Sequence, residues 1–258
     1  MMLTLPDILS ILSGSAVGLV LALIGGGGSI LATPALLYIV GIADAHTAIG
    51  TSALSVSVNA FINLFHHARR GHVKWRCAAV FAAAGVIGAI GGAALGKLTD
   101  SHVLLPMFAV LMIVVGLAML RPRKDTGNGD VRLDARNAPL LVGFGLGAGA
   151  LSGFFGIGGG FLIVPGLVAA TGMNMIQAIG SSLFSVGAFG ATTAASYAAD
   201  GYIDWRVALL FIGGGIVGGA VGTGFASHLA KQRGALQRVF AGVIFAVAAY
   251  VLYRSFSG

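Results

Sequence analysis

The sequence predicts an all-α polytopic membrane protein, built as an inverted-topology repeat of two five-segment halves. Hydrophobic residues fill 57% of the 258 positions and charged residues only 9%, whereas soluble domains carry about 25% charged residues. The mean hydropathy is +0.96. Long apolar runs recur along the chain, and the second half of the sequence repeats the first. We expect each half to contain a glycine-broken pair of short helices and three long transmembrane helices.

Seven apolar runs are long enough to cross a hydrocarbon core, which takes about 20 helical residues. They cover residues 47–67, 75–97, 102–120, 138–155, 177–199, 206–229 and 236–254. A pair of shorter segments opens each half, at 8–24 and 28–40 and again at 138–155 and 160–171. The second segment of each pair reaches only about 20 Å as a helix, against a core of about 30 Å. Each pair is compatible with a re-entrant hairpin or with two tilted spans.

The repeat is visible in matched motifs. The stretch GGGGSILATPAL at 25–36 returns as GIGGGFLIVPGL at 156–167, which is an offset of 131. After the loss of one residue the offset settles at 130. At that offset, motifs 48–52 and 71–76 align with motifs 178–182 and 201–206. Two homologous halves in a membrane are the usual construction of a transporter.

Charge placement predicts the topology. The chain divides into an N-terminal repeat half at 1–120, a cytoplasmic linker at 121–137 and a C-terminal repeat half at 138–258, all in one membrane domain. Cations cluster in the first long turn and in the linker, at Arg69, Arg70, Lys74, Arg76, Arg121, Arg123, Lys124, Arg132 and Arg136. By the positive-inside rule these segments face the cytoplasm. In the second half the cations concentrate at 231–238, while the turn at 200–206 keeps only one. Matching loops of the two halves are therefore predicted on opposite faces of the membrane.

The glycine turns are the first candidate site. Contiguous glycines are unfavourable inside a helix, where each costs about 1 kcal/mol relative to alanine, so the backbone is expected to turn sharply there. A helix that begins after such a turn aims free N–H groups at it and favours an anion, with Ser29 at the expected N-cap of the first helix. The candidates are Gly25, Gly26, Gly27, Gly28, Ser29, Gly156, Gly158, Gly159 and Gly160, with Pro34 and Pro165 as structural hinges.

Polar side chains inside the long helices complete the predicted site. They are Thr51, Ser52, Asn59 and Asn63 in the first half and Ser181, Ser182 and Ser185 in the second. Such stripes line a polar pathway or form hydrogen bonds between helices, and their spacing admits both. Asn59 and Asn63 stand out because two carboxamides one turn apart in hydrocarbon need partners.

The predicted membrane helices have no acidic residue near their centres, and this limits the class of substrate. All eight acidic residues are Asp and lie at predicted helix ends or loops, whereas proton pumps and many cation transporters keep a carboxylate inside the membrane. An anionic substrate is therefore favoured. The histidines also fall near helix ends, away from the serines, so no activated nucleophile is predicted. We expect no enzyme, no metal and no cofactor, and the lone Cys77 excludes an internal disulfide.

The chain resembles the sulfite exporter TauE/SafE family, also called the TSUP permeases. The resemblance rests on the glycine-rich turns with Pro34 and Pro165, on the motifs at 50–52 and 180–182, and on the turns at 71–76 and 201–206, which both end in Trp-Arg. The resemblance covers essentially the whole chain. It implies a multi-pass permease of the inner (cytoplasmic) membrane for sulfite, thiosulfate, sulfoacetate or another organosulfonate. It also implies that the repeated motifs lie near the transport path.

We therefore expect secondary or facilitated transport through a site near the midplane, where the two glycine hairpins meet. The expected partners are a small anionic substrate and the lipid bilayer. The charge of +7 is explained by topology and contact with anionic lipid, so no nucleic acid is expected. The oligomeric state is not predicted. The alternatives are a membrane scaffold or assembly factor and, with less support, an intramembrane hydrolase.

Overall fold

The computed structural model describes residues 4–24, 26–120, 131–156, 160–229 and 233–257. Gly25, Gly158, Gly159 and most of the predicted linker lie outside this part. The first half forms α1 (Leu5–Ile24), α2 (26–40), α3 (Ala45–Arg69), α4 (Trp75–Lys97) and α5 (Ser101–Leu120). The second half forms α6 (Ala138–Phe155), α7 (Gly160–Thr171), α8 (Met175–Ala199), α9 (Trp205–Leu229) and α10 (Arg233–Ser257). The all-α polytopic fold class is confirmed.

Six of these helices are long and apolar enough to cross a membrane, namely α1, α3, α4, α6, α8 and α9. The described apolar stretches of α5 and α10 are shorter, at His102–Ala118 and Ala241–Tyr253. Helix α1 has 20 residues and is therefore longer than the short segment 8–24 expected from the sequence. Its start is fixed by Asp7, whose Oδ2 accepts hydrogen bonds from the backbone N–H and the hydroxyl of Thr4, both at 2.8 Å. This contact forms one half of a capping box, in which the third residue of the helix accepts from the N–H of the N-cap residue.

Helix α2 changes its helical type twice. It begins as a 3₁₀ helix over Gly26–Leu31, continues as one α-helical stretch over Ala32–Pro34 and ends as a π-helix over Ala35–Val40. Proline has no N–H, so Pro34 removes one hydrogen bond from this helix. The equivalent Pro165 lies inside α7, which is α-helical over Gly160–Thr171. Gly41 then ends the segment with a φ of 91°, which glycine adopts at little steric cost.

The halves interlock instead of standing side by side. Helix α1 packs on α9, and its repeat counterpart α6 packs on α4. Glycines make both approaches close, because a Cβ at Gly18 would overlap the backbone of Gly215, and one at Gly149 would overlap that of Gly85. Small residues at such spacing let helix backbones touch. The first helix of each half, α1 or α6, therefore packs against the opposite half.

The centre of the molecule is the contact between α3 and α8. Ser57 and Gly187 occupy equivalent repeat positions, and the Ser57 hydroxyl donates to the Gly187 carbonyl at 2.7 Å. Gly190 lies against Ala53 while Gly187 lies against Phe61, so the two helices run antiparallel. Repeat counterparts that cross antiparallel support the inverted-repeat interpretation. Helices α5 and α10 are also counterparts, and they too pack together.

Candidate functional site

The two glycine-broken segments meet. The 3₁₀ part of α2 packs against α7, and also against α1 and α8. Ser29 and Ile30 in this part are fully buried. Ile30 shares an apolar cluster with Ile49 of α3 and Phe155 of α6. The site is thus built from both halves of the chain.

Ser52 joins these segments. Its hydroxyl is 0% exposed and lies 2.8 Å from the hydroxyl of Thr33 in α2. It also donates to the carbonyl of Ile49 at 2.9 Å and approaches the carbonyl of Gly156 at 3.3 Å. Gly156 ends α6 with a φ of 66°. A side chain on helix α3 therefore connects α2 with the glycine turn of the second half.

The expected helix start at Ser29 is wrong. Ser29 lies inside the 3₁₀ helix, together with Gly26, Gly27 and Gly28. The short α-helical stretch that follows begins after Leu31, which makes no capping bond through its side chain. The glycine run tightens into 3₁₀ turns, so no α-helix begins at the serine. In the second half α7 does begin at Gly160.

Thr51 and Ser181 each bind a turn of the opposite half. We call these two turns, at 70–74 and 200–204, the corners. The Thr51 hydroxyl accepts a hydrogen bond from the backbone N–H of Asp204 at 3.0 Å, and Ser181 accepts one from the N–H of Lys74 at 2.9 Å. These two bonds are repeat counterparts. The preceding residues, Gly50 and Gly180, press against carbonyl oxygens of the same corners. The aligned motifs thus hold the halves together, and a contact of Thr51 or Ser181 with substrate stays a prediction.

Asn59 and Asn63 face α9, away from the glycine turns. The Asn59 side chain lies against Gly215, and that of Asn63 lies against Gly219. Their amide groups donate to carbonyls one turn back in α3, each at 3.0 Å. Asn59 is 1% exposed, and its side-chain oxygen has no hydrogen-bond partner among the residues described. The structure does not bring these carboxamides together with Ser52.

The corresponding face of α8 is less polar. Phe189, the counterpart of Asn59, places its ring against Gly85 of α4. Ser182 and Ser185 are fully buried. Ser182 donates to the carbonyl of Ile179 at 2.8 Å, whereas the Ser185 hydroxyl lacks a hydrogen-bond partner within the described part of the chain. The counterpart of Asn59 on α8 is therefore an apolar contact with α4.

Thr33 is the site residue that the sequence did not reveal. It is buried in α2 and touches Ser52. Its repeat counterpart is the apolar Val164, so a hydroxyl present in one half alone was the available signal. Within the described residues, no group of three His, Cys, Asp or Glu could hold a metal ion.

Comparison with known proteins identifies the family. A family described as sulfite exporter TauE/SafE matches residues 10–251. The chain belongs to the TauE/SafE family. This TauE/SafE chain is 49% identical to a "Probable membrane transporter protein" of Xylella fastidiosa, over 97% of this chain and 96% of that one. It is 26% identical to the "Probable membrane transporter protein YunE" of Bacillus subtilis, over 83% of this chain and 86% of that one. No solved structure matches it.

Family membership decides the broad function. The TauE/SafE chain is a multi-pass membrane transporter that works in a lipid bilayer on a small substrate, and it is not an enzyme. The hydrolase alternative from the sequence is thereby set aside. The family and its relatives do not assign individual residues, so Ser52, the glycine turns and the asparagines remain predicted binding residues.

Proposed function

We propose that this TauE/SafE protein carries small sulfur-containing anions across the cytoplasmic membrane by secondary or facilitated transport. The substrate class comprises sulfite, thiosulfate, sulfoacetate and other organosulfonates. The binding site lies between α2 and α7, near the midplane. The observation that carries the proposal is Ser52, whose buried hydroxyl lies between Thr33 and the carbonyl of Gly156 where these segments meet.

The groups at this place suit an anion. Ser52 and Thr33 have hydroxyls that donate to oxyanions, and α7 begins at Gly160, where free N–H groups and the helix dipole favour negative charge. The contact from Ser52 to Gly156 measures 3.3 Å, which is long for a hydrogen bond between a hydroxyl and a carbonyl. This weak contact can be exchanged for a substrate oxygen. The described Asp side chains lie at or near the helix ends, so none repels an anion at the centre.

The interlocked helices offer a route to alternating access. Helices α3 and α8 cross at the Ser57 contact, and each of them packs against helices of the other half. Rocking of one repeat against the other around a central site is the usual movement of inverted-repeat transporters. Export of an anion from a cell-negative interior is assisted by about 2.3 kcal/mol per charge per 100 mV, so no coupling ion is required.

Flux of radiolabelled sulfite and sulfoacetate into proteoliposomes tests the proposal. Ser52→Ala removes a buried donor and is expected to lower flux about fivefold, the value of one hydrogen bond. Ser10→Ala is the matched control, because this buried hydroxyl donates within α1 to the carbonyl of Pro6. Equal flux in the two variants would remove Ser52 from the site. A strict requirement for a proton or sodium gradient would contradict uncoupled transport.

A further inference from the structure

A cavity of about 550 Å³ lies between α1, α2 and α10. Its inner wall includes Val20, Leu31 and Pro34, and its other end includes Tyr38 and Tyr250. The two tyrosine rings meet edge to face, with centroids 5.2 Å apart. Its volume falls in the range of about 300–1,000 Å³ that is typical of ligand pockets. This cavity lies beside the proposed anion site, and most of its lining is apolar.

The cavity opens on the outside of the helix bundle. Three lining residues at its rim are exposed, Ile39 by 53%, Val243 by 42% and Tyr250 by 46%. Since α1 is a membrane-crossing helix, this outer surface faces lipid. The occupant must therefore come from the bilayer, and it must enter from the side.

The walls exclude water and favour hydrocarbon. An ordered water needs two to four polar partners, which the inner wall does not provide. An unfilled gap would forfeit the dispersion contacts of its lining. A flexible hydrocarbon chain restores those contacts. A helix of a second protein is about 10 Å wide and would fill a volume of this size within about one and a half turns.

One end of the cavity is polar. Ser13 lines it, and its hydroxyl lacks a hydrogen-bond partner in the part of the chain described. The hydroxyl oxygen is itself buried, so it reaches the cavity only when the side chain rotates. Tyr38 lies two residues before α2 ends at Val40, so this end is close to a membrane surface. Tyrosine is enriched at such interfaces. The cavity thus runs from a polar mouth to an apolar interior beside Leu31.

The second half carries a different residue at the position of Ser13. The repeat counterpart of Ser13 is Phe144, whose Cβ lies against Gly166, the counterpart of Ala35. An aromatic side chain thus replaces the hydroxyl that the first half places at the cavity. The serine at the cavity is therefore a property of the first half.

We propose that this cavity binds one acyl chain of a membrane phospholipid. Its ester carbonyl accepts a hydrogen bond at the tyrosine end from Ser13, whose side chain rotates toward the cavity on binding. Its terminal carbons lie against Leu31 and Pro34. The chain then supports α2 from the side opposite α7. Lipid binding is measured directly, so its failure would leave the proposed transport function untouched.

Native mass spectrometry tests the site. The full-length protein is reconstituted with phosphatidylglycerol of defined chains, extracted in mild detergent, and its retained lipid is counted. Ala246→Phe fills the cavity, and Ala249→Phe places the same ring on another exposed position of α10 that does not line it. We expect wild type and Ala249→Phe to retain one phospholipid and Ala246→Phe to lose it at least tenfold. Equal retention in all three, or loss in both variants, would overturn the proposal.

A second comparison tests the polar end. Ser13→Ala is expected to weaken retention of an ester-linked phospholipid about fivefold, the value of one hydrogen bond. It should leave retention of the matching ether-linked lipid unchanged, because that lipid has no ester carbonyl. Ala16→Phe fills the cavity from α1 and replaces Ala246→Phe if that variant does not elute as folded protein. Equal effects of Ser13→Ala on both lipids would contradict the assigned orientation.

Discussion

Thr51 and Ser52 are neighbours in the sequence, but their hydroxyls hold different parts of the molecule. Thr51 accepts a hydrogen bond from a corner of the second half, at Asp204. Ser52 connects α2 with the turn at Gly156. Because successive helical residues point about 100° apart, one motif serves a structural contact and a candidate binding contact.

Removing the Thr51 hydroxyl should destabilise the protein. Thr51→Val keeps the shape of the side chain but leaves the partly buried N–H of Asp204 without its acceptor, which costs about 1 kcal/mol. We expect a lower midpoint of thermal unfolding in detergent, and the same direction for Ser181→Ala. Thr192→Val is the control, because its hydroxyl donates within α8 to Ala188. A midpoint that falls equally in the control would argue against the corner contact.

The sequence revealed which polar residues are repeated, but it did not reveal their partners. Thr51 and Ser181 align by motif, and nothing in the motif shows that each binds the opposite half. Ser29 was expected to cap a helix, and the 3₁₀ geometry of the glycine run prevented it. Asn59 was expected to need a partner in hydrocarbon, and its amide found one in its own helix at Ser55. Local patterns indicate chemistry, while pairing depends on tertiary packing.

At the scale of helices, α6 offers a direct test of close packing. A Cβ at Gly149 would overlap the backbone of Gly85, whereas a Cβ at Gly147 would meet nothing within 4 Å. Gly149→Ala should separate α6 from α4 and destabilise the fold by about 1–3 kcal/mol, as overpacking does. Gly147→Ala should be neutral or slightly stabilising. Thermal unfolding of the two purified variants measures the difference, and equal midpoints would show that the contact at Gly85 is not tight.

The long helices were predictable because their apolar runs are nearly continuous. Small residues at helical spacing allow tight helix contacts, but such spacing does not show that α1 packs on α9 and α6 on α4. The length of α1 was underestimated because the capping contact between Thr4 and Asp7 was not recognised. The mixed geometry of α2 was not predictable from Pro34, because the equivalent Pro165 lies inside the regular α-helix α7.

At the scale of the whole molecule, the inverted orientation of the halves is still a prediction, and several contacts support it. Lys97 and Asp200 form an ion pair, and the charge pattern places their two turns on the same outer face. Asp7 and Arg206 also pair across the halves, with both carboxylate oxygens engaged at 2.9 and 2.6 Å. The composition and the repeat thus predicted the architecture, and the antiparallel crossing of α3 and α8 agrees with it.

Labelling of matched positions tests this orientation. Arg70 and Asp200 are exposed counterparts in the repeat, yet they are predicted on opposite membrane faces. In a Cys77→Ala background, we expect a membrane-impermeant maleimide to label Asp200→Cys on intact cells and to label Arg70→Cys only after permeabilisation. Labelling of both from outside would contradict the inverted repeat. Reaction of both variants in permeabilised cells serves as the control for accessibility.

The pairing of α1 with α9 also restricts how the protein is made. Gly18 is synthesised about 200 residues before its partner Gly215, which at 5–20 residues per second is a delay of about 10–40 s. During that interval α1 lies in the bilayer with its glycine face covered only by lipid or by a biogenesis factor. The first half cannot reach its native packing while the ribosome is still translating the second, so assembly must be completed late, when α9 has entered the membrane.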